Sequence, residues 1–182
     1  LRAALPKNEL KGTIYNHGEG ILQCATEIYP DSKKSATVVW QNASYEISSQ
    51  GVILENYEAW IKDVYSKNSQ KCSTQPSDNK PVLIGIDKPF WKTKQNVRAG
   101  MSLTDLEQAL GQEIEIHCCE TDLDGWVESK IKNLSIIMAF PSTVYSKLEK
   151  GNKGTTIRSK KLSKKIKDQI KIGYLIVRLN EE

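Results

Sequence analysis

No stretch of this sequence is apolar over the roughly eighteen residues that a membrane-crossing helix needs. Histidine is scarce, with only His17 and His117, and no two cysteines have the CxxC spacing that is typical of zinc sites. The sequence also lacks a Gly-Lys-Ser/Thr phosphate loop, a Gly-x-Ser-x-Gly elbow and a His-Glu-x-x-His pair. We therefore expect no transmembrane segment, no metal and no cofactor, and we assign no catalytic residue.

The cysteines favour an oxidising compartment. The chain has 182 residues, of which 38% are hydrophobic, so its core is lean and disulfides would help to stabilise it. Cys72 lies in a loop of Ser, Gln, Asn, Pro and Lys residues, where a buried apolar side chain would be out of place. Reduced, partly buried thiols in a cytosolic protein are the alternative. The disulfide candidates are Cys24, Cys72, Cys118 and Cys119.

Four cysteines allow three connectivities, and the adjacent pair bears on the choice. On a strand, the side chains of Cys118 and Cys119 would point to opposite faces. A direct bond between them would need a distorted peptide unit. We therefore expect one of them to pair with Cys24 or Cys72.

The first half of the chain has the composition of an antiparallel meander, with β-branched and aromatic segments separated by turn residues. After it, apolar residues at helical spacing predict a helix from Leu54 to Lys67, whose aromatic stripe is typical of a core-facing surface. The predicted strands of this half are Gly12–Tyr15, Ile21–Tyr29, Ala36–Gln41 and Pro81–Ile86.

The stretch from Val97 to Trp126 has the clearest local signals. Ser102 can cap a helix by accepting hydrogen bonds from backbone amides of the first turn, and Asp105 can reach back in a capping box. Gly111 provides a left-handed stop, so we predict a helix over Ser102–Leu110. The strands expected to follow are Glu113–Cys119, Trp126–Ser129 and Leu134–Phe140.

These elements predict an α+β fold, in which helices pack on one face of antiparallel sheet. We expect a single compact domain over residues 1–182. Matches between its halves favour a tandem repeat of residues 1–90 and 91–182, and chance recurrence of apolar strands is the alternative. The matched positions, at a constant offset of 105, are Leu1 with Leu106, Ala4 with Ala109, Leu5 with Leu110 and Gly20 with Gly125.

The run from Gly100 to Leu106, Gly-Met-Ser-Leu-Thr-Asp-Leu, followed by Ala109-Leu110-Gly111, resembles a motif of bacterial envelope proteins. It is similar to the Gly-Met-Ser/Thr and Leu-Gly motif of the small outer-membrane lipoprotein of the barrel-assembly machinery and of β-lactamase inhibitory protein repeats. Together with Trp91 and Thr93, it also resembles uncharacterised bacterial secreted or lipoprotein-like proteins.

This resemblance implies a helix-plus-sheet fold with disulfides and a periplasmic, outer-membrane-anchored or secreted location. It implies no active-site residue, because its motifs are caps, turns and core positions. The first residue is Leu1 rather than Met, and we expect that an N-terminal segment has been trimmed.

A basic segment spans Lys147–Lys171. It has nine lysines and Arg158 against two acids, a net charge of +8, whereas the whole chain carries +4. Apolar residues at every fourth position from Leu162 to Ile170 predict an amphipathic helix from Lys160 onward.

Such a helix favours binding to anionic lipid or polymer, and a solvated helix that aids solubility is the alternative. Without interleaved aromatic residues, the segment argues against nucleic acid. The candidate binding lysines are Lys160, Lys161, Lys164, Lys165 and Lys167.

Three hypotheses of function follow. The first is a non-catalytic binding or structural module of a bacterial envelope with an unknown macromolecular partner, for which the candidate residues are His17, Glu19, Trp91 and Trp126. The second is a protein that binds a polyanion or membrane surface through the basic segment. The third is a hydrolase or a thiol enzyme using Cys118, although the neighbouring His117 would point away from it on a strand.

Overall fold

The structure is a computed structural model that describes residues 5–16, 21–46, 72, 80–119, 124–127, 129–151 and 155–179. This part of the chain is mostly antiparallel sheet, with nine strands and a few helices. Each strand pair with a described register is antiparallel, which confirms the predicted α+β class. Among the helices found in it, none is long and apolar enough to span a bilayer.

The chain divides into two compact units, and the first runs from Leu1 to Ile84 with Glu182. Its strands β1 to β3 follow one another as an antiparallel meander, as their β-branched and aromatic content and the turn residues between them predict. The predicted helix Leu54–Lys67, His17 and Glu19 lie outside the described residues. The strands are β1 (Leu10–Asn16), β2 (Ile21–Ile28), β3 (Ala36–Glu46) and β4 (Pro81–Ile86), the last of which ends in the second unit.

Among the described residues of the first unit, the core includes a polar contact and a disulfide. The buried Trp40 indole N–H donates to Thr26 Oγ1 at 2.9 Å, so both polar groups are satisfied. The register between β2 and β3 shifts between Gln23 and Ala25, at Cys24. Cys24 forms a disulfide with Cys72, with a Cα–Cα distance of 5.3 Å. The expectation that Cys72 is bridged rather than reduced is confirmed.

The second unit runs from Gly85 to Glu181. Its strands occur in the order β9-β7-β6-β5-β8, so strands distant in the chain are neighbours in the sheet. Buried side chains alternate with half-buried ones along β5, β6 and β7, which makes one side of these strands part of the core. The strands are β5 (Glu115–Cys118), β6 (Trp126–Val127), β7 (Leu134–Ala139), β8 (Thr155–Arg158) and β9 (Lys171–Arg178).

Helix α1 (Leu103–Leu110) begins and ends where the sequence predicts. Ser102 Oγ accepts the Asp105 N–H at 3.1 Å, and the Asp105 carboxylate accepts the Ser102 N–H at 3.3 Å. This reciprocal pair is a capping box, which satisfies two amides that the helix itself leaves unpaired. Gly111, with φ of 62°, ends the helix in the left-handed conformation.

The predicted amphipathic helix from Lys160 onward was wrong. The segment forms β8, a 3-10 helix (Ser159–Lys161) and a single turn of helix, α3 (Lys164–Lys167). The break lies at Leu162 and Ser163, whose backbones are extended, with ψ of 137° and 152°. At the other end, the Ile170 carbonyl accepts the Leu103 N–H at 2.9 Å, and β9 begins at the next residue, so the helix cannot continue. Before the break, the fully buried Ser159 accepts the Ile114 N–H through its Oγ and donates its own N–H to the Ile114 carbonyl. A helix that we did not predict, α2 (Ser142–Glu149), lies between β7 and β8.

Candidate functional site

A row of half-buried side chains crosses four strands of the second unit. Ile116 lies opposite Val127, which places His117 beside Trp126 on the other side of the sheet. Trp126 lies opposite Ile137, and Ile137 lies opposite Tyr174. We call these four residues, His117, Trp126, Ile137 and Tyr174, the Trp126 row.

The row is distinct from the core side of the same strands. The residues that alternate with it on β5, β6 and β7 are almost completely buried, whereas the four members of the row each keep part of their surface in solvent. Two of the members are large aromatics and one is a β-branched aliphatic, so the row is a mainly apolar surface with a few polar atoms. The buried residues on the alternate positions are Ile116, Cys118, Val127, Ile136 and Met138.

Tyr174 is held at one end of the row by a glycine. A Cβ built on Gly85 would overlap the Tyr174 hydroxyl, so the tyrosine occupies the space that any other residue at position 85 would fill. Gly85 is buried. The tyrosine is therefore positioned by the packing of its own unit.

The other end of the row meets paired charges. His117 lies opposite Thr156 on β8. Two residues along the same strands, Glu115 lies opposite Arg158, and the Arg158 Nε is 2.8 Å from the Glu115 carboxylate. Lys160 Nζ similarly lies 3.2 Å from Glu113. An apolar row bordered by exposed, paired charges has the layout of many protein contact surfaces.

The bend that carries Trp126 is fixed by hydrogen bonds. The Cys119 N–H donates to Asp124 Oδ1, and the Tyr145 hydroxyl donates to Asp124 Oδ2 at 2.6 Å. The Gly125 N–H donates to the His117 carbonyl at 2.8 Å. Gly125 has φ of 85°, and a Cβ there would overlap the Met138 carbonyl oxygen. This geometry requires glycine, and it leads directly into β6, where Trp126 pairs with Ile137.

The predicted pairing of Cys118 or Cys119 with Cys24 or Cys72 was wrong. Cys118 and Cys119 form a disulfide with each other, with a Cα–Cα distance of 3.7 Å. The prediction assumed regular strand geometry through both residues. Cys119 instead lies after the end of β5 and has φ of 77°. Its side chain therefore does not have to point to the opposite face of the sheet from Cys118. All four cysteines are therefore bridged.

Carboxylates face several of the candidate lysines. Lys167 Nζ lies 2.7 Å from Glu107 on α1, and Lys164 Nζ lies 2.6 Å from Asp168. Asp168 also accepts a hydrogen bond of 2.6 Å from the Thr104 hydroxyl. The hydrogen bond from Lys164, followed by that from Thr104, lowers the pKa of Asp168, and the same carboxylate raises the pKa of Lys164.

Two of the candidate lysines are placed differently. Lys161 ends the 3-10 helix and Lys165 lies on α3, and both are exposed. In the part of the chain that the structure describes, neither has an ion-pair partner. They are the members of the candidate set that remain available to an external anion.

Of the candidate aromatic residues, Trp126 lies in the row and Trp91 lies outside it, in the turn after β4. The sequence does not by itself identify His117, Ile137 and Tyr174 as members of one surface. Their strand alternation was visible in the sequence, but the row depends on the register between strands. Phe90, which is exposed beside Trp91, was also missed.

The remaining features do not define a reaction centre. Two open, polar depressions of about 320 and 330 Å³ share Gln112 and Lys130 and lie beside Glu113 and Ile131, respectively. No cluster of three metal-ligating side chains occurs in the described ranges. The site that the geometry defines best is therefore the Trp126 row.

Comparison of the chain with protein-family models, curated proteins and solved structures found no significant match.

Proposed function

We propose that this chain is a non-catalytic binding module of a bacterial cell envelope and that the Trp126 row contacts a protein partner. The observation that carries this proposal is the alignment of Trp126 with Ile137 and Tyr174 across three strands of the second unit. Aromatic residues with part of their surface in solvent are the usual anchors of protein interfaces, because they bury much area at a small entropy cost.

A protein is the favoured partner because of the chemistry around the row. The row itself contains no lysine or arginine, and the nearest arginine in the register, Arg158, is paired with Glu115. A polyanion would find no unpaired cation at these positions. A protein surface with an apolar centre and a polar rim would match both the apolar row and the paired charges at its edge.

The two disulfides support an envelope or secreted location for the module. Cys24 and Cys72 lie 48 residues apart in sequence and are both buried, as expected for a structural bridge. Structural disulfides persist in oxidising compartments such as the bacterial periplasm. The resemblance of the Gly100–Gly111 stretch to envelope proteins supports the same compartment, including attachment as a lipoprotein.

The proposal extends to the finer architecture. Helices on one face of the sheet and a duplicated unit would both fit a module that uses one sheet surface for binding. The offset between residues 1–20 and 106–125 supports the duplication.

The alternative, binding of a polyanion through Lys147–Lys171, has less support. Arg158, Lys160, Lys164 and Lys167 each have a carboxylate within ion-pair distance. A thiol enzyme has less support again, because a disulfide-bonded cysteine is not a nucleophilic thiolate.

Site-specific photocross-linking in a bacterial envelope tests the proposal. A photoreactive amino acid at Thr156, which is exposed and lies opposite His117, would report a partner on the row. The matched control is the same substitution at Thr143, an exposed residue on α2. We expect one discrete protein adduct from position 156 and none from position 143.

The adduct must also depend on the row. Trp126→Ala is expected to reduce its yield at least about tenfold, because interface tryptophans often contribute 2 kcal/mol or more. Trp126→Tyr, which keeps an aromatic surface, is expected to restore most of it. An adduct that is unchanged by Trp126→Ala, with circular dichroism showing a folded variant, would contradict the proposal, and so would the absence of any adduct.

A further inference from the structure

The turn from Asp87 to Arg98 presents a large apolar side chain to solvent. Phe90 is 51% exposed and Leu179 is 40% exposed, and they are the two exposed large hydrophobic residues in the described part of the chain. Phe90 follows Pro89, which is also exposed, and precedes the half-buried Trp91. The turn lies within the second unit and does not include any member of the Trp126 row.

Phe90 and Trp91 form one aromatic tip. Their ring centroids are 5.3 Å apart and their planes are nearly perpendicular, at 87°. Such an edge-to-face pair is favourable by itself, so the two rings support each other in this arrangement. The tip therefore combines an exposed phenyl ring with a tryptophan that is partly held by the protein.

The segment that directly follows the tip is held by hydrogen bonds. The Val97 N–H donates to the Thr93 hydroxyl at 3.1 Å, and the Thr93 N–H donates to the Val97 carbonyl at 2.9 Å. Asn96 has φ of 64°, a conformation that asparagine tolerates, and its N–H donates to the Thr93 carbonyl. Val97 and Ala99 are buried. Lys94 lies within this closed loop, so its backbone position is fixed close to the tip.

Cations surround the tip. The turn contains four basic residues and one carboxylate, for a net charge of +3, and Asp87 lies 2.9 Å from the neighbouring Lys88. Lys92 and Lys94 are exposed, and no ion pair of either is found within the described ranges. They follow the tip by one and three residues in the chain, so their charges lie close to it.

We propose that this turn docks on an anionic phospholipid surface, with Phe90 and Trp91 in the head-group region and Lys92 and Lys94 facing lipid phosphates. Tryptophan and other aromatic residues favour the membrane interface, and nearby lysines are attracted to anionic lipids. A phosphate ion alone would not explain an exposed phenyl ring. Single-stranded nucleic acid prefers a groove in which successive bases stack, whereas these two rings stand perpendicular to each other.

Sedimentation of the full chain with vesicles tests the proposal. Vesicles of equimolar phosphatidylcholine and phosphatidylglycerol are expected to bind the protein, and those of phosphatidylcholine alone are expected to bind it much more weakly. Binding to the anionic vesicles should weaken as the salt concentration rises, because the lysine contribution is screened. Equal binding to both vesicles, or no binding at low salt, would overturn the proposal.

Matched variants locate the binding surface. Phe90→Ala is expected to weaken binding about fivefold. The reason is that roughly half of the phenylalanine surface is exposed in the free protein, and only this part can become buried in the membrane. The double variant Lys92→Gln/Lys94→Gln is expected to weaken it at least about tenfold. The controls Leu179→Ala and Lys161→Gln/Lys165→Gln, which change another exposed apolar residue and two other exposed lysines, are expected to stay within about twofold. All of these side chains are exposed, and a thermal melt checks that each variant is folded.

The comparison distinguishes this turn from the basic segment. If Lys161→Gln/Lys165→Gln weakens vesicle binding as much as Lys92→Gln/Lys94→Gln, the proposed orientation is wrong. Binding to a single-stranded oligonucleotide but not to anionic vesicles would also overturn it. Vesicles are expected to cause a blue shift of tryptophan fluorescence that is reduced in Trp91→Phe, and a shift that is undiminished in this variant would overturn the proposal. None of these outcomes bears on the cross-links expected at Thr156, so the two proposals stand or fall separately.

Discussion

The Tyr145 hydroxyl donates a hydrogen bond of 2.6 Å to Asp124 and thereby connects helix α2 to the bend before β6. The same carboxylate accepts the Cys119 N–H through its other oxygen. One side chain therefore joins three segments of the second unit at the bend from which Trp126 extends.

Removal of this hydroxyl should destabilise the protein. We expect Tyr145→Phe to lower the free energy of unfolding by about 1.5 kcal/mol, the usual contribution of a hydrogen bond to a charged group. Asp124→Ala should cost more, because it also leaves the Cys119 N–H without its acceptor. Urea denaturation of both variants measures the difference, and equal losses would contradict this role of Asp124.

The two disulfides should contribute unequally to stability. Cys24 and Cys72 close a loop with a sequence separation of 48, which corresponds to about 4 kcal/mol in the chain-entropy model. The Cys118–Cys119 disulfide joins neighbours and closes no loop of comparable length. We expect Cys24→Ala/Cys72→Ala to lower the unfolding free energy far more than Cys118→Ala/Cys119→Ala, as measured in urea.

The stabilities of the two double variants can be compared directly, because all four cysteines are buried and each double variant removes two sulfurs. A count of free thiols in the denatured, unreduced protein checks the starting state, and we expect none. Similar losses of stability in the two double variants would show that packing rather than chain entropy dominates.

Two left-handed glycines should differ in their tolerance of alanine. Gly111 has φ of 62° with open space where a Cβ would be, so Gly111→Ala should cost about 1 kcal/mol from backbone strain. At Gly125, where φ is 85°, the added Cβ would overlap the Met138 carbonyl. We expect Gly125→Ala to cost about 3 kcal/mol or more, the sum of strain and overpacking. Thermal or urea denaturation compares them, and a Gly125→Ala variant as stable as Gly111→Ala would contradict the described bend.

The capping box of α1 should make stability depend on pH in the acid range. The hydrogen bond from the Ser102 side chain lowers the pKa of Asp105 below its ordinary value of 3.8, against a smaller opposing effect of burial. The pKa of Asp105 is therefore lower in the folded protein than in the unfolded chain. Its stabilising effect is complete at a pH above the pKa of the unfolded chain, and it is lost as the pH falls through the pKa of the folded protein.

The measurement is the urea midpoint of the parent and of Asp105→Asn from neutral to strongly acidic pH. The difference between them should be largest at neutral pH and should shrink below the ordinary Asp value. Ser102→Ala should cost about 1 kcal/mol at neutral pH and return the pKa of Asp105 towards 3.8 in an NMR titration. A pKa of Asp105 that does not change in Ser102→Ala would contradict the assigned cause.

Two ion pairs of the basic segment should couple with different strengths. The side chains of Lys167 and Glu107 are only 18% and 19% exposed, and their charged groups lie 2.7 Å apart. The Lys160 side chain is 61% exposed and lies 3.2 Å from Glu113. Double-mutant cycles should give about 1 kcal/mol or more for the first pair and less than about 0.5 kcal/mol for the second. Equal coupling energies, or equal sensitivity to salt, would contradict the difference in burial.

Local sequence was sufficient for some elements and insufficient for others. The capping box and Gly111 predicted α1 closely, because their hydrogen bonds and dihedral angles involve residues within a few positions of one another. The apolar spacing from Leu162 to Ile170 predicted a helix, but only Lys164–Lys167 is helical, and the Ile170 carbonyl instead accepts the N–H of Leu103, which is distant in sequence. A periodicity in one segment contains no information about such a distant partner.

The candidate site likewise combines residues that the sequence identifies with an arrangement that it does not predict. Trp126 was a candidate from its sequence alone, but its neighbours in the row come from three other strands, and strand register is set by packing across the sheet. The candidate lysines were recognised from charge density, whereas the carboxylates facing Lys160 and Lys167 come from the stretch around α1. Charge counting within one segment therefore overestimated its available positive charge.

The sequence by itself determined the α+β class, most of the strands and the capped helix α1, because these depend on alternation, turn residues and contacts between near neighbours. Only the tertiary structure decided that Cys24 pairs with Cys72, that Cys118 pairs with Cys119, and which side chains join Trp126 in a row. These outcomes depend on backbone conformation at single residues and on register between distant strands. Both are set by the packing of the whole unit rather than by the local pattern of residues.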